Sequence, residues 1–266
     1  MAKRVELEDV SLSYEERGSE TADAVVFVHG LGGSAYSWWA QLAACEARGY
    51  RAVAYDQRGA GLSSKPPGPY SVELWARDLE RLLDRLGIER ATLVGQSVGC
   101  MIAQHGAVRL GERALGLAVL GGALRWRPEA GPVFEERVRL ARAGRMDEIA
   151  AAVAQTGLSE RCRAEDPALH GLFCELIASN DPRAYADWAS ATAVAEMIEP
   201  QRVQCPALAF CGELDPVAPP QAASAIAAAM PNARTAVVEG AAHWCQLEAP
   251  NAVNEILLSF LAELAT

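Results

Sequence analysis

Short apolar runs bounded by glycine-rich turns recur along this chain, and between them lie stretches with helical spacing. The runs fall at residues 24–28, 51–55, 91–94, 115–120, 207–211 and 235–238. Runs that are apolar at nearly every position, not at every second one, mark strands covered on both faces. Such strands are parallel, and each needs a crossover to reach the next. Segments at 36–48, 72–86, 98–110, 221–230 and 251–264 supply helices for that purpose. Strand and helix in alternation predict an α/β fold on a doubly wound, mostly parallel sheet. A polar–apolar alternation at 5–14 predicts an exposed strand or hairpin ahead of the first buried run.

The rhythm breaks once. From 125 to 199 no strand-like run occurs, and the segment is rich in Ala, Arg and Glu with breaks at Gly157, Pro167 and Pro182. It predicts an inserted helical cap over 125–199, with residues 1–124 and 200–266 forming the core. A chain of 266 residues, 51% hydrophobic and 22% charged, is long and apolar enough for one large domain carrying an insertion.

In open parallel sheets the chemistry gathers at the carboxyl ends of the strands. Gly95-Gln96-Ser97-Val98-Gly99 lies there, between a predicted strand and a predicted helix. A G-x-S-x-G in that setting is a nucleophile turn: the sharp bend lifts the Ser97 hydroxyl clear of the sheet, and small flanking residues avoid a clash. A glycine-rich turn with a helix-capping serine is the plainer reading, and the strand-to-helix placement weakens it. A serine hydroxyl needs a base to take its proton. Of the four histidines, His105 lies two turns down the following helix and His170 falls in the cap. His243 follows the last strand in Gly240-Ala241-Ala242-His243-Trp244, a loop of small residues, and is the candidate base. The base needs a carboxylate to hold its tautomer. Asp215, in Gly212-Glu213-Leu214-Asp215-Pro216, is preferred over Glu213 because a residue before proline is extended and turn-forming. The other position used for this acid, after the strand ending near 120, holds Gly121-Gly122-Ala123 and no carboxylate. The order Ser97, Asp215, His243 is the one such a sheet uses. Two backbone N–H groups, those of Val98 and Leu31, are the candidate oxyanion donors. The His29-Gly30-Leu31-Gly32-Gly33 loop carries no G-K-[ST] or G-x-G-x-x-G, so no nucleotide is expected there.

These residues resemble the α/β-hydrolase superfamily along essentially the whole chain. The His29-Gly30 loop, the loop at 56–63, the turn at 95–99, Gly212 to Asp215 and His243 stand in the expected order. The stretches 65–71, 76–79, 86–90, 162–167 and 180–185 are similar to the 3-oxoadipate enol-lactonase group. That resemblance implies hydrolysis of a small ester or lactone through an acyl-enzyme, with no metal and no cofactor. Cys100 stands where the group usually has a second glycine. His29 reads as loop-shaping; with Trp126, Trp188 and Met197 it is a candidate for the substrate pocket. Those cap residues would equally serve to glue cap to core. Arg125 or Arg127 is a candidate partner for a substrate carboxylate. Carbon–carbon hydrolysis of ring-cleavage products, or a non-catalytic ligand receptor, are the rival readings on this scaffold. Dehalogenase and epoxide hydrolase chemistry would want Asp at position 97.

A net charge of −10 repels phosphate backbones and anionic lipid, so neither nucleic acid nor a membrane is expected as partner. Seven cysteines, an odd number with no C-x-x-C pair, predict neither a disulfide framework nor a zinc site. Free thiols and the absence of an apolar leader in the first ten residues predict a cytoplasmic protein.

Overall fold

The computed structural model describes residues 2–125 and 130–264. It opens with a hairpin, β1 (Lys3–Glu6) and β2 (Ser11–Arg17), and then alternates strand and helix. The succession is β3 (Ala24–Val28), α1 (Trp39–Ala47), β4 (Arg51–Tyr55), α2 (Val72–Arg85), β5 (Ala91–Gln96), α3 (Val98–Leu110) and β6 (Ala114–Leu120). Among the described residues five helices follow with no strand between them: α4 (Ala130–Arg142), α5 (Met146–Gly157), α6 (Glu160–Glu165), α7 (Pro167–Ala178) and α8 (Pro182–Ala193). The alternation then resumes with β7 (Ala207–Gly212), α9 (Pro220–Ala229), β8 (Ala233–Val238), α10 (Cys245–Glu248) and α11 (Pro250–Leu264).

The eight strands among the described residues form one sheet in the order β1-β2-β4-β3-β5-β6-β7-β8. Only the β1–β2 and β2–β4 pairs are antiparallel. The chain adds β4 on one side of β3 and then crosses to place β5 on the other. This reversal opens a crevice beyond the carboxyl ends of β3 and β5, the usual place for a ligand in such sheets. Alternate residues of each strand feed opposite faces. In β3, Val26 and Val28 join the core under α2, α3 and the cap, while Val25 and Phe27 join the core under α1 and α11. Burial on both faces is why β3 is apolar throughout.

Local signals set the helix starts. Ser71 caps α2, its hydroxyl accepting from Leu74 N at 3.1 Å. Asp166 and Asp181 cap α7 and α8, each followed by proline at the first helical position. The prolines that punctuate the cap sequence therefore start helices, where a missing N–H costs nothing. The helix predicted from residue 36 begins instead as a 3₁₀ turn, Ala35–Trp38, because Ser34 and Ser37 cap each other's backbone N–H groups there. Among the described residues, no helix is long and apolar enough to cross a membrane.

The cap sits on the loops that leave the strands. Trp188 Nε1 donates to Arg58 O at 2.8 Å, and the Trp188 and Trp75 rings lie 3.9 Å apart. Asn180 Nδ2 donates to Gly32 O at 2.9 Å. Arg58 is the hub of this seam. Its guanidinium grips Asp78 with two bonds of 2.6 and 2.9 Å, and its carbonyl also accepts from Trp75 Nε1 at 3.3 Å. The side chains of Arg58 and Asp78 are 5% and 1% exposed, so removing Arg58 leaves the buried Asp78 without its ion-pair partner. Arg58→Met is expected to lower the unfolding free energy by about 3–5 kcal/mol, checked by urea titration; a loss within that of a surface ion pair would contradict this account.

Candidate active site

Ser97 stands between β5 and α3 with φ 53° and ψ −119°. Among the described residues it is the one non-glycine with a positive φ. That conformation costs an L-residue on the order of 1–3 kcal/mol, and only a rigid frame holds it. The frame is backbone on backbone. Ser97 N donates to Leu120 O at 2.9 Å, and Cys100 N donates to Ser97 O at 2.9 Å. A Cβ on Gly99 would lie 2.2 Å from Val28 O, and one on Gly95 would lie 2.4 Å from Gly99 O. Both glycines are thus demanded by contact. Cys100 fits where a glycine is usual: its thiol lies 3.1 Å from Gly95 O and 3.2 Å from Leu120 O, with Gly122 opposite. Burial pushes that thiol's pKa up, so it remains a packed neutral group.

His243 meets Asp215 directly, Nδ1 to Oδ2 at 2.7 Å. The other oxygen, Oδ1, accepts from Val217 N and Ala218 N, each at 2.8 Å. The Asp215 side chain is 0% exposed and His243 7%, so three donors replace the carboxylate's water. A carboxylate only accepts, so the proton sits on Nδ1 and leaves Nε2 free to take one. Glu213, the competing acid, turns away and accepts from Gly240 N at 2.9 Å, bracing the His243 loop. Gly121, at the alternative acid position, has φ +63°, and a Cβ there would lie 3.1 Å from the His243 ring. A side chain at that position would crowd the ring and the Asp215 carboxylate.

Ser97, His243, Leu31 and Val98 all line one narrow cavity of about 50 Å³. Among the described residues no hydrogen bond joins the Ser97 hydroxyl to the His243 ring. Such bonds commonly tighten only when substrate arrives.

A family model for the alpha/beta hydrolase fold matches residues 23–160 and 165–250. The chain belongs to that family. It is 29% identical to 3-oxoadipate enol-lactonase 2 of Acinetobacter baylyi, over 93% of this chain and 91% of the relative. A protein of Azorhizobium caulinodans that carries the name carbamate hydrolase RutD is 27% identical, over 96% of this chain and 97% of the relative. The crystal structure of the enol-lactonase from Burkholderia xenovorans LB400 superposes with a TM-score of 0.92 at 28% identity, covering 98% of this chain and 100% of that one.

The remaining wall of this α/β hydrolase's cavity is Phe134, Arg137, Val153, Thr156, Val217 and Trp244. Of the pocket residues predicted from sequence, Trp126 lies outside the described residues, as does Arg127. Trp188 and Met197 do not reach the cavity. Trp188 is buried between Arg58 and Trp75 because its indole N–H is spent on Arg58 O, and Met197 packs half-buried against the core. His29 does not line it either. It is 1% exposed, with Nε2 accepting from Gln57 N at 3.3 Å and Nδ1 donating to Gly30 O at 2.8 Å. Both ring nitrogens hold loops, which is the shaping role read from the sequence. Among the described residues the cap arginine on the wall is Arg137, and Arg125 is not part of it. Its spacing from Phe134, three residues and so one helix face, was the available signal.

Burial lowers the His29 pKa below its ordinary 6.5. The unfolded chain therefore takes up the proton first. His29 contributes its full stability above about pH 6.5, and that contribution falls as the pH drops toward the lowered folded value. Melting curves from pH 8 to pH 5 are expected to show this acid loss in the parent and a shallower one in His29→Gln; parallel curves would exclude it.

Proposed function

We propose that this α/β hydrolase is a serine hydrolase that cleaves an ester or lactone of a small organic substrate through an acyl-enzyme. The observation that supports it most is the convergence on one cavity of a serine in a strained turn, a histidine held by a buried aspartate, and the Leu31 and Val98 backbone. Ser97 Oγ attacks the carbonyl carbon while His243 Nε2 takes its proton. The Leu31 and Val98 N–H groups receive the oxyanion, the second of them at the N-terminus of α3. Collapse breaks the carbon–oxygen bond, and the leaving oxygen departs with the proton from His243. A water then gives a proton to His243 and attacks the acyl carbon; collapse breaks the bond to Ser97 Oγ, which takes that proton back from His243 as the acid leaves. Asp215 keeps the imidazolium oriented and stabilised throughout.

The cavity's size and its apolar wall suit a short acyl group. Arg137 is half-buried on that wall, 5.9 Å from the Phe134 ring centre, and makes no ion pair among the described residues. It suits a substrate that ends in a carboxylate. Similarity to an enol-lactonase and to a protein named carbamate hydrolase favours acyl carbons bearing an oxygen or nitrogen leaving group.

The test is hydrolysis of p-nitrophenyl acetate, small lactones and a small carbamate by the parent and by Ser97→Ala, with mass spectrometry of the protein. The expected outcome is a loss of about 10⁴-fold or more in the variant and an acyl adduct on Ser97 in the parent. Unchanged turnover in Ser97→Ala would remove the mechanism. Saturable binding without turnover would favour a receptor, and turnover confined to ring-cleavage diketones would favour carbon–carbon hydrolysis. Arg137→Gln is expected to lower kcat/KM about 10- to 100-fold on the p-nitrophenyl monoester of succinic acid and to leave the acetate ester within about twofold; equal losses on both would assign Arg137 a packing role instead.

A further inference from the structure

The loop that carries His243 has its backbone polar groups held by partners from two directions. On the core side, Gly240 N donates to Glu213 at 2.9 Å, Leu214 N donates to Ala241 O at 2.9 Å, and Gln96 Nε2 donates to His243 O at 3.2 Å. On the cap side, Trp244 N donates to Gly157 O, at the end of α5, at 2.8 Å. Ala242 N donates to Glu248 Oε2 at 3.0 Å. The same carboxylate accepts from Ser159 N at 3.1 Å and from the Ser159 hydroxyl. Ser159 is 4% exposed and its oxygen also caps α6, accepting from Cys162 N at 3.1 Å. One carboxylate therefore ties the α5–α6 junction of the cap to the residue before His243, and a second bond ties the cap to the residue after it. Side-chain packing closes the joint. Phe173 of α7 meets the Trp244 ring edge-on at 5.2 Å, and a Cβ on Gly157 would lie 2.7 Å from Phe173 and 3.1 Å from Trp244. The cap cannot shift over the sheet without pulling on both neighbours of the base.

We propose that Glu248 is a positioning residue that makes the seating of the cap set the orientation of His243. The inference rests on the serine-hydrolase reading above. A carboxylate is suited to the task because its two oxygens accept three donors at once, with a strength that neutral acceptors lack. If the staple only glued the cap down, its loss would lower stability or weaken substrate binding. A positioning role acts instead on the step in which His243 moves the proton, where a small misplacement of a reacting group is costly.

The experiment compares the parent, Glu248→Ala, Ser159→Ala and the double variant on p-nitrophenyl acetate, well below each melting temperature, with Ser97→Ala run alongside. The low-field proton NMR signal of the His243 Nδ1–H bonded to Asp215 is recorded for each. The expected result for Glu248→Ala is a kcat about tenfold lower with KM within about twofold, and a low-field signal broadened or lost. Ser159→Ala is expected to move the same way, and the double variant to be no worse than Glu248→Ala, since the two residues act as a unit. A kcat within about twofold of the parent with an unchanged low-field signal, whatever the melting temperature does, overturns the proposal. So does a change confined to KM. Should Glu248→Ala not fold, Glu248→Gln keeps the chain length and one acceptor oxygen and carries the same readouts. Activity that survives Ser97→Ala would sink the hydrolase reading alone, and the NMR signal would still report whether Glu248 holds the ring.

Discussion

The contact on which the rest of the site depends is that of bare backbone between the first turn of α3 and the ends of β3 and β5. At Gly99 the helix comes so near Val28 O that a methyl group would overlap it. This approach bends the chain hard enough to put Ser97 in a conformation that L-residues avoid, and it anchors the bend to β6 through Leu120 O. The strain stays local because the sheet beneath is buried on both faces and cannot yield. With the helix seated, Val98 and the β3 loop residue Leu31 come to one wall, next to the serine. The crevice left by the reversal of strand order supplies the space.

The base side is built on a different principle, the satisfaction of a buried charge. Asp215 has lost its water and replaces it with three donors, two from the backbone just downstream and one from His243. The histidine is thereby both a partner that the carboxylate needs and a group whose tautomer the carboxylate dictates. Glycine at position 121 leaves the imidazole its place beside β6. The loop around it is held from the core by Gln96, Glu213 and Leu214 and from the cap by Gly157, while Glu248 joins it to Ser159 of the cap. The cap thus does more than cover the crevice; it forms half of the mount for one of the site's central side chains.

Most of the architecture can be read along the chain because its causes are local. The all-apolar run at Ala24–Val28 and the largely apolar run at Arg51–Tyr55 match their strands to the residue, and Val98–Leu110 matches its helix. Double-faced burial favours that composition in such strands. Pro167 and Pro182 stand at helix starts, each after an aspartate that caps. The site's three central residues are visible for a related reason: the turn at Ser97 demands glycines at fixed spacing, and Asp215 and His243 follow strand ends in a fixed order.

What the sequence by itself determined, then, is the doubly wound sheet, the inserted helices and the strand ends that present Ser97, Asp215 and His243. What only the tertiary structure decided is which residues look at one another across the crevice. Helical spacing names the two faces of a cap helix but not which face meets the sheet, because that depends on partners far away in sequence. Trp188 is drawn to Arg58, 130 residues away, and so leaves the cavity wall, while Arg137 joins it. The choice of Asp215 over Glu213 was open to local turn chemistry, but the bond from Glu248 to Ser159, 89 residues distant, was not. Local patterns fix where a side chain begins; only the packing of elements remote in sequence fixes where it ends.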